Sequence, residues 1–419
     1  MERGKLPVVI IGAGPVGLAA AAHLLERGEA PLVLEAGAAA GAGVLRWGHV
    51  RLFSPWSYVI DRASARRLER SGWTPPDGAL FPTGRELVDR YLQPLAATLG
   101  PHLRLGTRVL SVTREGLDKV RTAGRESAPF AVRVRSAAGE ETILARALID
   151  ASGTVQGPNP LGAAGVPAPG EPELADRIAY GVPEVGLRHA GKRVLVAGSG
   201  HSAFNVLLEL SQRREPGAQT LWAIRRPHPG SLYGGGAQDG LAERGRLGAR
   251  VRAAVESGRI TLLAGFSTSR VAHVPGGIEV HSADGRQAVV DEVIAATGFR
   301  PDLALTRELR LSLDPVIESP SALAGLIDPN LHSCGTVPPH GARELSHPEK
   351  DLYVVGMKSY GRAPTFLLLT GYEQVRSVAA ALAGDHAAAN QVALVLPATG
   401  VCSTDGACDL PAAPVRCCA

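Results

Sequence analysis

The apolar positions along the chain fall into two strand, turn and helix units of one design. Residues 7–11 (PVVII) form a short apolar run, GAGPVG follows at Gly12–Gly17, and LAAAAHLLERG reads as a helix ending at Gly28. The next run, PLVLE, predicts a strand ending on Glu35, 18 positions after Gly17. The same order returns at residues 193–197 (RVLVA), with GSGHSAFN at Gly198–Asn205, a helix over VLLELSQRR and a strand TLWAI ending before Arg225 and Arg226. Two βαβ units of this kind predict an α/β fold with two Rossmann-like dinucleotide-binding domains.

Between them, residues 82–99 predict a helix, and HLRLGTRVLSV and FAVRVRSA predict strands of a small antiparallel sheet inserted into the first lobe. The Gly- and Pro-rich stretch from Gly157 to Pro172 marks the crossing into the second lobe, and the return falls near Thr297-Gly298. The second domain is therefore expected as an insertion in the first, with 1–160 and 296–396 forming one domain and 175–295 the other. PTFLLLTGYEQVRSVAAALAG predicts the last helix, and 397–419 a Cys-rich mobile tail.

Composition narrows the class. A chain of 419 residues with 45% hydrophobic and 20% charged residues is that of a folded protein of two or three lobes, without the roughly 18 unbroken apolar residues of a membrane span. The start at Met1 runs directly into the first strand, which predicts a cytoplasmic protein. A net charge of +4, with no basic stripe interleaved with aromatics, argues against nucleic acid. Of five cysteines only Cys334 lies in the body of the chain, while Cys402, Cys408, Cys417 and Cys418 crowd the last 18 residues. An odd total in a reducing compartment points to thiol chemistry or metal binding instead of a disulfide framework.

In the first turn, Gly12 allows the bend, Gly14 lets the backbone approach a pyrophosphate, and Gly17 lets the helix pack on its strand. Pro15 and Val16 open the helix whose N-terminus faces the phosphates, and Glu35 is placed to accept from ribose hydroxyls. In the second turn Gly198 and Gly200 do the same work, with Ser202 beside them and Ala203 as the third small residue. This unit closes on Arg225 and Arg226, whose guanidiniums suit a 2′-phosphate and so predict NADPH. The four tail cysteines are candidate metalloid thiols, since thiolates are soft donors. A site at Cys334 with His332, His340 and His347 is weighed against a buried thiol among hydrogen-bonded histidines, and His23 and His201 are read as packing or surface residues.

The order of these motifs, with DASG (Asp150–Gly153), AATGFRPD (Ala295–Asp302) and LYVVGMKSYG (Leu352–Gly361), resembles the flavin-containing monooxygenase and thioredoxin-reductase-like superfamily of two-dinucleotide flavoproteins. The resemblance implies FAD in the first domain and NADPH in the second. It implies flavin contacts at Trp47, Val109, Ser152 and Gly153, and further contacts at Gly298, Gly356 and Met357. More narrowly, VRLFSPW (Val50–Trp56), CGTVPPHGARELSHPE (Cys334–Glu349) and GMKSYGRAPTFLL (Gly356–Leu368) are similar to the flavin monooxygenases encoded in bacterial arsenic-resistance operons. The FxGxxxHS signature of the wider monooxygenases is absent, with IAYGVPEVG in its place, and no CxxC occurs at either turn.

The expected function is thus an NADPH-dependent FAD oxidoreductase using O₂ on a small-molecule substrate such as an arsenic compound, with no side chain singled out as acid or base. Two alternatives stay open: a disulfide or metal-ion reductase working through the tail cysteines, and a flavin-bearing metalloid sensor or carrier. A homodimer is the expected assembly.

Overall fold

The computed structural model describes residues 6–213, 215–234, 242–331, 337–364 and 366–394. Strands in chain order are Val8–Ile11 (β1), Pro31–Leu34 (β2), Leu103–Arg104 (β3), Arg108–Arg114 (β4), Phe130–Ser136 (β5), Gly139–Ala145 (β6) and Ala147–Asp150 (β7). They continue as Ile178–Tyr180 (β8), Arg193–Ala197 (β9), Gln219–Ile224 (β10), Thr261–Ala264 (β11), Thr268–Val274 (β12), Gly277–Ser282 (β13), Gln287–Val290 (β14), Glu292–Ala295 (β15) and Leu352–Val354 (β16). The helices that matter most here are Pro15–Glu26 (α1), His201–Leu210 (α2), Ala242–Glu256 (α3) and Leu368–Leu382 (α4).

Two five-stranded sheets, parallel in every pairing, run in the orders β16–β7–β1–β2–β3 and β11–β10–β9–β15–β8. Strands β1, β2 and β7 are buried along their whole length, as apolar runs covered on both faces must be. Val8 and Ile10 of β1 join the core under α1 and α4, while Val9 and Ile11 join a core shared with Val112, Phe130 and Val132 of the meander β4–β5–β6. In each sheet the order of connection reverses beside the central strand, between β1 and β7 and between β9 and β15. A crevice at the carboxyl ends of the strands follows at each reversal.

Two expectations change, and one sheet is added. Leu103–Arg104 pairs in parallel with β2, so only the Arg108–Arg114 part of HLRLGTRVLSV belongs to the antiparallel sheet. A two-residue strand at a sheet edge has no periodicity to reveal it. The helix expected from Pro364 starts at Leu368, because Leu367 is extended and serves as its N-cap. A second antiparallel sheet, β12–β13–β14, packs on the second parallel sheet through Val271, Ile278, Val280 and Val290.

The two connections between the lobes lie side by side. Asn159 N donates to Gly298 O at 2.9 Å and Arg300 N to Gly157 O at 2.7 Å, with Pro158 bridged to Phe299. Asn159 Nδ2 donates to Thr297 O, and Thr297 Oγ1 donates to Asn159 O. Outgoing and returning chain thus form one short antiparallel ribbon.

The meander is joined to the C-terminal part of the first lobe by buried charge. Glu349 accepts from Arg114 Nε at 2.8 Å, from Arg125 Nη2 at 2.7 Å and from Arg310 N at 2.9 Å, and all three ionic side chains are nearly inaccessible. Burial alone would raise the carboxyl pKa, but the bonds from Arg125, Arg114 and the Arg310 amide outweigh it and hold it below the usual glutamate range. Burial pushes His347 down to about 4.

Both shifts act in one direction. A group whose folded pKa lies below its unfolded value stabilises the fold above the unfolded pKa and loses that contribution as pH falls through the folded one. Thermal stability should therefore begin to fall below about pH 6.5 through His347, and fall further below about pH 4.3 through Glu349. Glu349→Ala, which strands two buried guanidiniums, should cost about 3–5 kcal/mol by denaturant unfolding at neutral pH. A loss below about 1 kcal/mol there would show that the triad does not join the two parts.

Candidate functional site

The first turn lies at the reversal between β1 and β7. Gly12 has φ +98°, and a Cβ on it would lie 2.8 Å from Ala151 O. Gly17 faces back on the turn, where a Cβ would lie 2.0 Å from Gly12 O. Gly14, the N-cap of α1, differs: a Cβ there would meet nothing within 4 Å. Pro15 takes the first helical position, where its missing N–H costs nothing, and the free amides of the first turn face that open space. Glu35, just past β2, accepts from Ala13 N at 2.8 Å and Gly37 N at 2.7 Å, which fixes its carboxylate beside the turn. Each oxygen keeps a lone pair for a further donor such as a ribose hydroxyl. An anionic dinucleotide fits this donor set, with phosphate at Gly14 and ribose at Glu35.

Beside the turn sits a buried charge cluster that sequence reasoning did not single out. Lys358 Nζ donates to Asp150 Oδ2 at 2.6 Å and to Ser152 Oγ at 3.0 Å, and Ser152 donates through N and Oγ to Asp150 Oδ1. Lys358 is 1% exposed and Asp150 fully buried. Asp150 closes β7 and Ser152 touches the Gly12 turn, so the cluster sets the course of Ser152-Gly153 past the crevice. Gly356 packs against Val16 at the start of α1, which brings Gly356-Met357 to the same edge. The one available signal was a lysine inside the otherwise apolar and small run LYVVGMKSYG, where burial demands a partner.

The other expected contacts are spread around this edge. The ring of Trp47 packs on Gly84, where a Cβ would come within 2.9 Å of it. The Val109 side chain is buried with Ile11 and Leu34 in the core behind the sheet, and its backbone lies opposite Val134 where β4 pairs with β5.

The second turn repeats the first. Gly198 has φ +131° and a Cβ on it would lie 2.2 Å from Ala296 O, whereas at Gly200, the N-cap of α2, it would meet nothing within 4 Å. Ala203 is buried against the sheet and Ser202 is half-buried on the first turn of α2. Trp222 Nε1 donates to Gly198 O at 2.7 Å and braces the turn from β10. Arg225 and Arg226 follow β10; Arg225 is exposed, with Nη1 donating to Ala163 O at 3.1 Å. Gly298 lies on the lobe-crossing ribbon. The His201 ring meets that of Phe53 of the first lobe at a 52° tilt with centroids 5.1 Å apart, so it is an interlobe contact.

His23 is buried and bonded to Asp61 at 3.0 Å, in keeping with a packing role. His340 is held between Pro338 O and Gln374 Nε2, and burial lowers its pKa. His347 accepts from Ser312 N. Among the described residues no three His, Cys, Asp or Glu side chains converge as a metal site. His332, Cys334, Cys402, Cys408, Cys417 and Cys418 lie outside the described residues. No helix among the described residues is long and apolar enough to cross a membrane.

A family model described as pyridine nucleotide-disulphide oxidoreductase matches residues 9–317. No curated protein sequence matches the chain. Among solved structures the fold is similar to that of a bacillithiol disulfide reductase from Bacillus cereus, with a TM-score of 0.67 and 20% identity over 90% of this chain and 99% of that one. A flavin-containing monooxygenase from Stenotrophomonas maltophilia has a TM-score of 0.56 and 22% identity over 90% and 99% of the two chains. A thioredoxin reductase from T. acidophilum has a TM-score of 0.56 and 15% identity over 90% and 97%. These likenesses, all below 25% identity, concern the fold.

The contrast between the glycines gives a clean test. Gly14→Val places its side chain in open space, so the variant should fold with near-normal thermal stability yet purify colourless, whereas Gly17→Ala should lower stability itself. Yellow Gly14→Val protein with full flavin content would remove this turn from the site. For the buried pair, Lys358→Met alone should cost about 3–5 kcal/mol by leaving Asp150 unpaired. Adding Asp150→Asn should recover much of that loss; simple additivity of the two would show that the charges are not coupled.

Proposed function

We propose, from the premise that the chain belongs to the pyridine nucleotide-disulphide oxidoreductase family, whose members use FAD and NAD(P)H, that it is an NADPH-dependent flavin monooxygenase acting on a small soft substrate such as a trivalent arsenical. In this reading the domain formed by 1–160 and 296–396 holds FAD at the first turn, and 175–295 holds NADPH at the second. FAD, when bound, accepts an electron pair from the nicotinamide and makes it available to oxygen. The chain's own part is positioning: α1 and α2 present their free amides to two pyrophosphates, Glu35 takes ribose hydroxyls, and Arg225 and Arg226 favour the 2′-phosphate.

The observation that supports oxygen as acceptor is a pair of open dinucleotide turns in a sequence with no CxxC anywhere. A dithiol relay next to the flavin is therefore missing from the chain, while the means of loading the flavin with electrons are present. The arsenical rests on the motifs at Val50–Trp56, Cys334–Glu349 and Gly356–Leu368. One observation favours a second reading, reduction of a disulfide or metal ion through the tail: four of the five cysteines lie in the last 18 residues.

Oxygen accounting separates the two. With a trivalent arsenical, NADPH oxidation should consume O₂ in equal amount, yield the pentavalent oxide and water, and release little hydrogen peroxide. Truncation after Pro397 should leave anaerobic flavin reduction by NADPH unchanged and remove metalloid binding measured by calorimetry. Anaerobic turnover with a disulfide acceptor that disappears on truncation, with no oxygenated product under air, would transfer the assignment to the reductase.

A further inference from the structure

The outgoing crossing makes a tight loop at Gly162–Gly165 before it enters the second lobe. Its shape is fixed from inside. The buried carboxylate of Glu171 accepts from Leu161 N, Gly162 N, Ala168 N and Tyr180 Oη, all within 3.1 Å, and Ala163 N donates to Thr268 O. The outer side of this loop gathers three guanidiniums from three parts of the fold. Arg225, at the end of β10, donates to Ala163 O, and Arg300, at the end of the returning strand of the ribbon, donates through Nη2 to Gly165 O at 3.0 Å. Arg362 follows the Gly356–Tyr360 turn of the first lobe. A Cβ built on Gly165 would lie 3.0 Å from Arg300 Nη2 and 3.7 Å from Arg362 Nη2, so both groups crowd one point.

Three like charges at one loop call for a counter-charge, and the described residues do not supply it. Among the described residues none of Arg225, Arg300 and Arg362 is ion-paired with a carboxylate. The nearest acid on the loop, Glu171, is committed to the loop's own amides and to Tyr180. Arg300 Nε is buried without any hydrogen-bond partner, an arrangement that costs free energy unless a ligand meets it. Each of the three side chains has N–H groups left after its bond or contact at the loop, and planar guanidinium forks match the oxygens of phosphate-type anions.

We propose that Arg225, Arg300 and Arg362 together hold a tetrahedral, phosphate-type oxyanion at the junction of the two lobes. The proposal rests on the reading of Arg225 as a cofactor contact only for one of two sources of that anion, the 2′-phosphate of NADPH; the other is a free oxyanion. Because the three residues come from the second lobe, the ribbon and the first lobe, the bound anion ties all three together. Specificity for the phosphorylated cofactor, or affinity for the free anion, then depends on residues outside the nucleotide-binding unit itself.

The test uses FAD-loaded full-length enzyme carrying Arg300→Gln, Arg362→Gln or Arg225→Gln. Anaerobic flavin reduction is followed with NADPH and NADH, and inorganic phosphate binding by calorimetry with and without saturating NADPH. Loss of one charge-assisted contact predicts about tenfold weaker binding of the anion in each variant. If the anion is the 2′-phosphate, the KM for NADPH rises about tenfold in all three with NADH unchanged, and NADPH displaces phosphate. If it is free, the KM for both cofactors is unchanged and phosphate binds NADPH-saturated wild type about tenfold more tightly than each variant. Arg362 is exposed, so its variant is expected to fold, and unchanged FAD content and thermal unfolding serve as the check. A rise in NADPH KM for Arg225→Gln alone, with Arg300→Gln and Arg362→Gln silent in both assays, would overturn the three-arginine site while sparing the cofactor reading. Loss of phosphate binding with no change in cofactor preference in any variant would do the reverse.

Discussion

Each dinucleotide turn presses on the strand that leads out of its own sheet. The Gly12 turn leans on Ala151 and the Gly198 turn on Ala296, in both cases so closely that a Cβ would collide with the carbonyl oxygen. From Ala151 the chain runs on to Asn159, from Ala296 to Arg300, and these two segments pair as the ribbon between the lobes. Close backbone approach at two glycines therefore does more than shape two turns. It anchors both turns to the ends of one short connection, in which residues 157–159 pair with 298–300.

Buried carboxylates hold the loops that this arrangement leaves without regular structure. Asp150 fixes Ser152 and Lys358 at the first crevice, Glu171 gathers three amides of the outgoing crossing, and Glu349 ties the meander to the C-terminal segment. Ion pairs at such depth gain little over packed apolar groups once desolvation is counted. Their effect lies in what they accept: backbone N–H groups of loops that have no ladder to join, which would otherwise be buried unpaired. Loop conformation, more than net stability, is what these acids set.

The two turns were legible in the sequence because their chemistry is local. A strand, three small residues and a helix are contiguous, and the apolar runs that flank them are long enough to read. Glu35 was legible as an acid at the right spacing, but its bonds to Ala13 N and Gly37 N belong to the folded turn. Lys358 and Asp150 are 208 positions apart and form a unit only after β16 pairs with β7, so no window of sequence contains both. Leu103–Arg104 escaped for a related reason, since a strand of two residues acquires its identity from the neighbour β2. The sulfur chemistry read from the tail, and from Cys334, lies outside the described residues and rests on sequence alone.

Glycines within one motif divide into two kinds once the space around them is known. At Gly12, Gly17 and Gly198 the missing side chain makes room for the protein's own backbone, and the residue is explained by packing. At Gly14 and Gly200 nothing of the protein comes within 4 Å of where a Cβ would stand, so packing does not explain the choice. Neither has the left-handed φ that would demand glycine: Gly14 has φ −79° and Gly200 φ −88°, both in extended conformation at a helix N-cap, where serine, threonine or aspartate would supply a capping oxygen. A residue that forgoes a capping side chain, in relaxed backbone and open space, at the positive end of each helix, leaves room and free amides for an anionic ligand. The same holds at both turns of one chain, in a family whose members use both FAD and NAD(P)H.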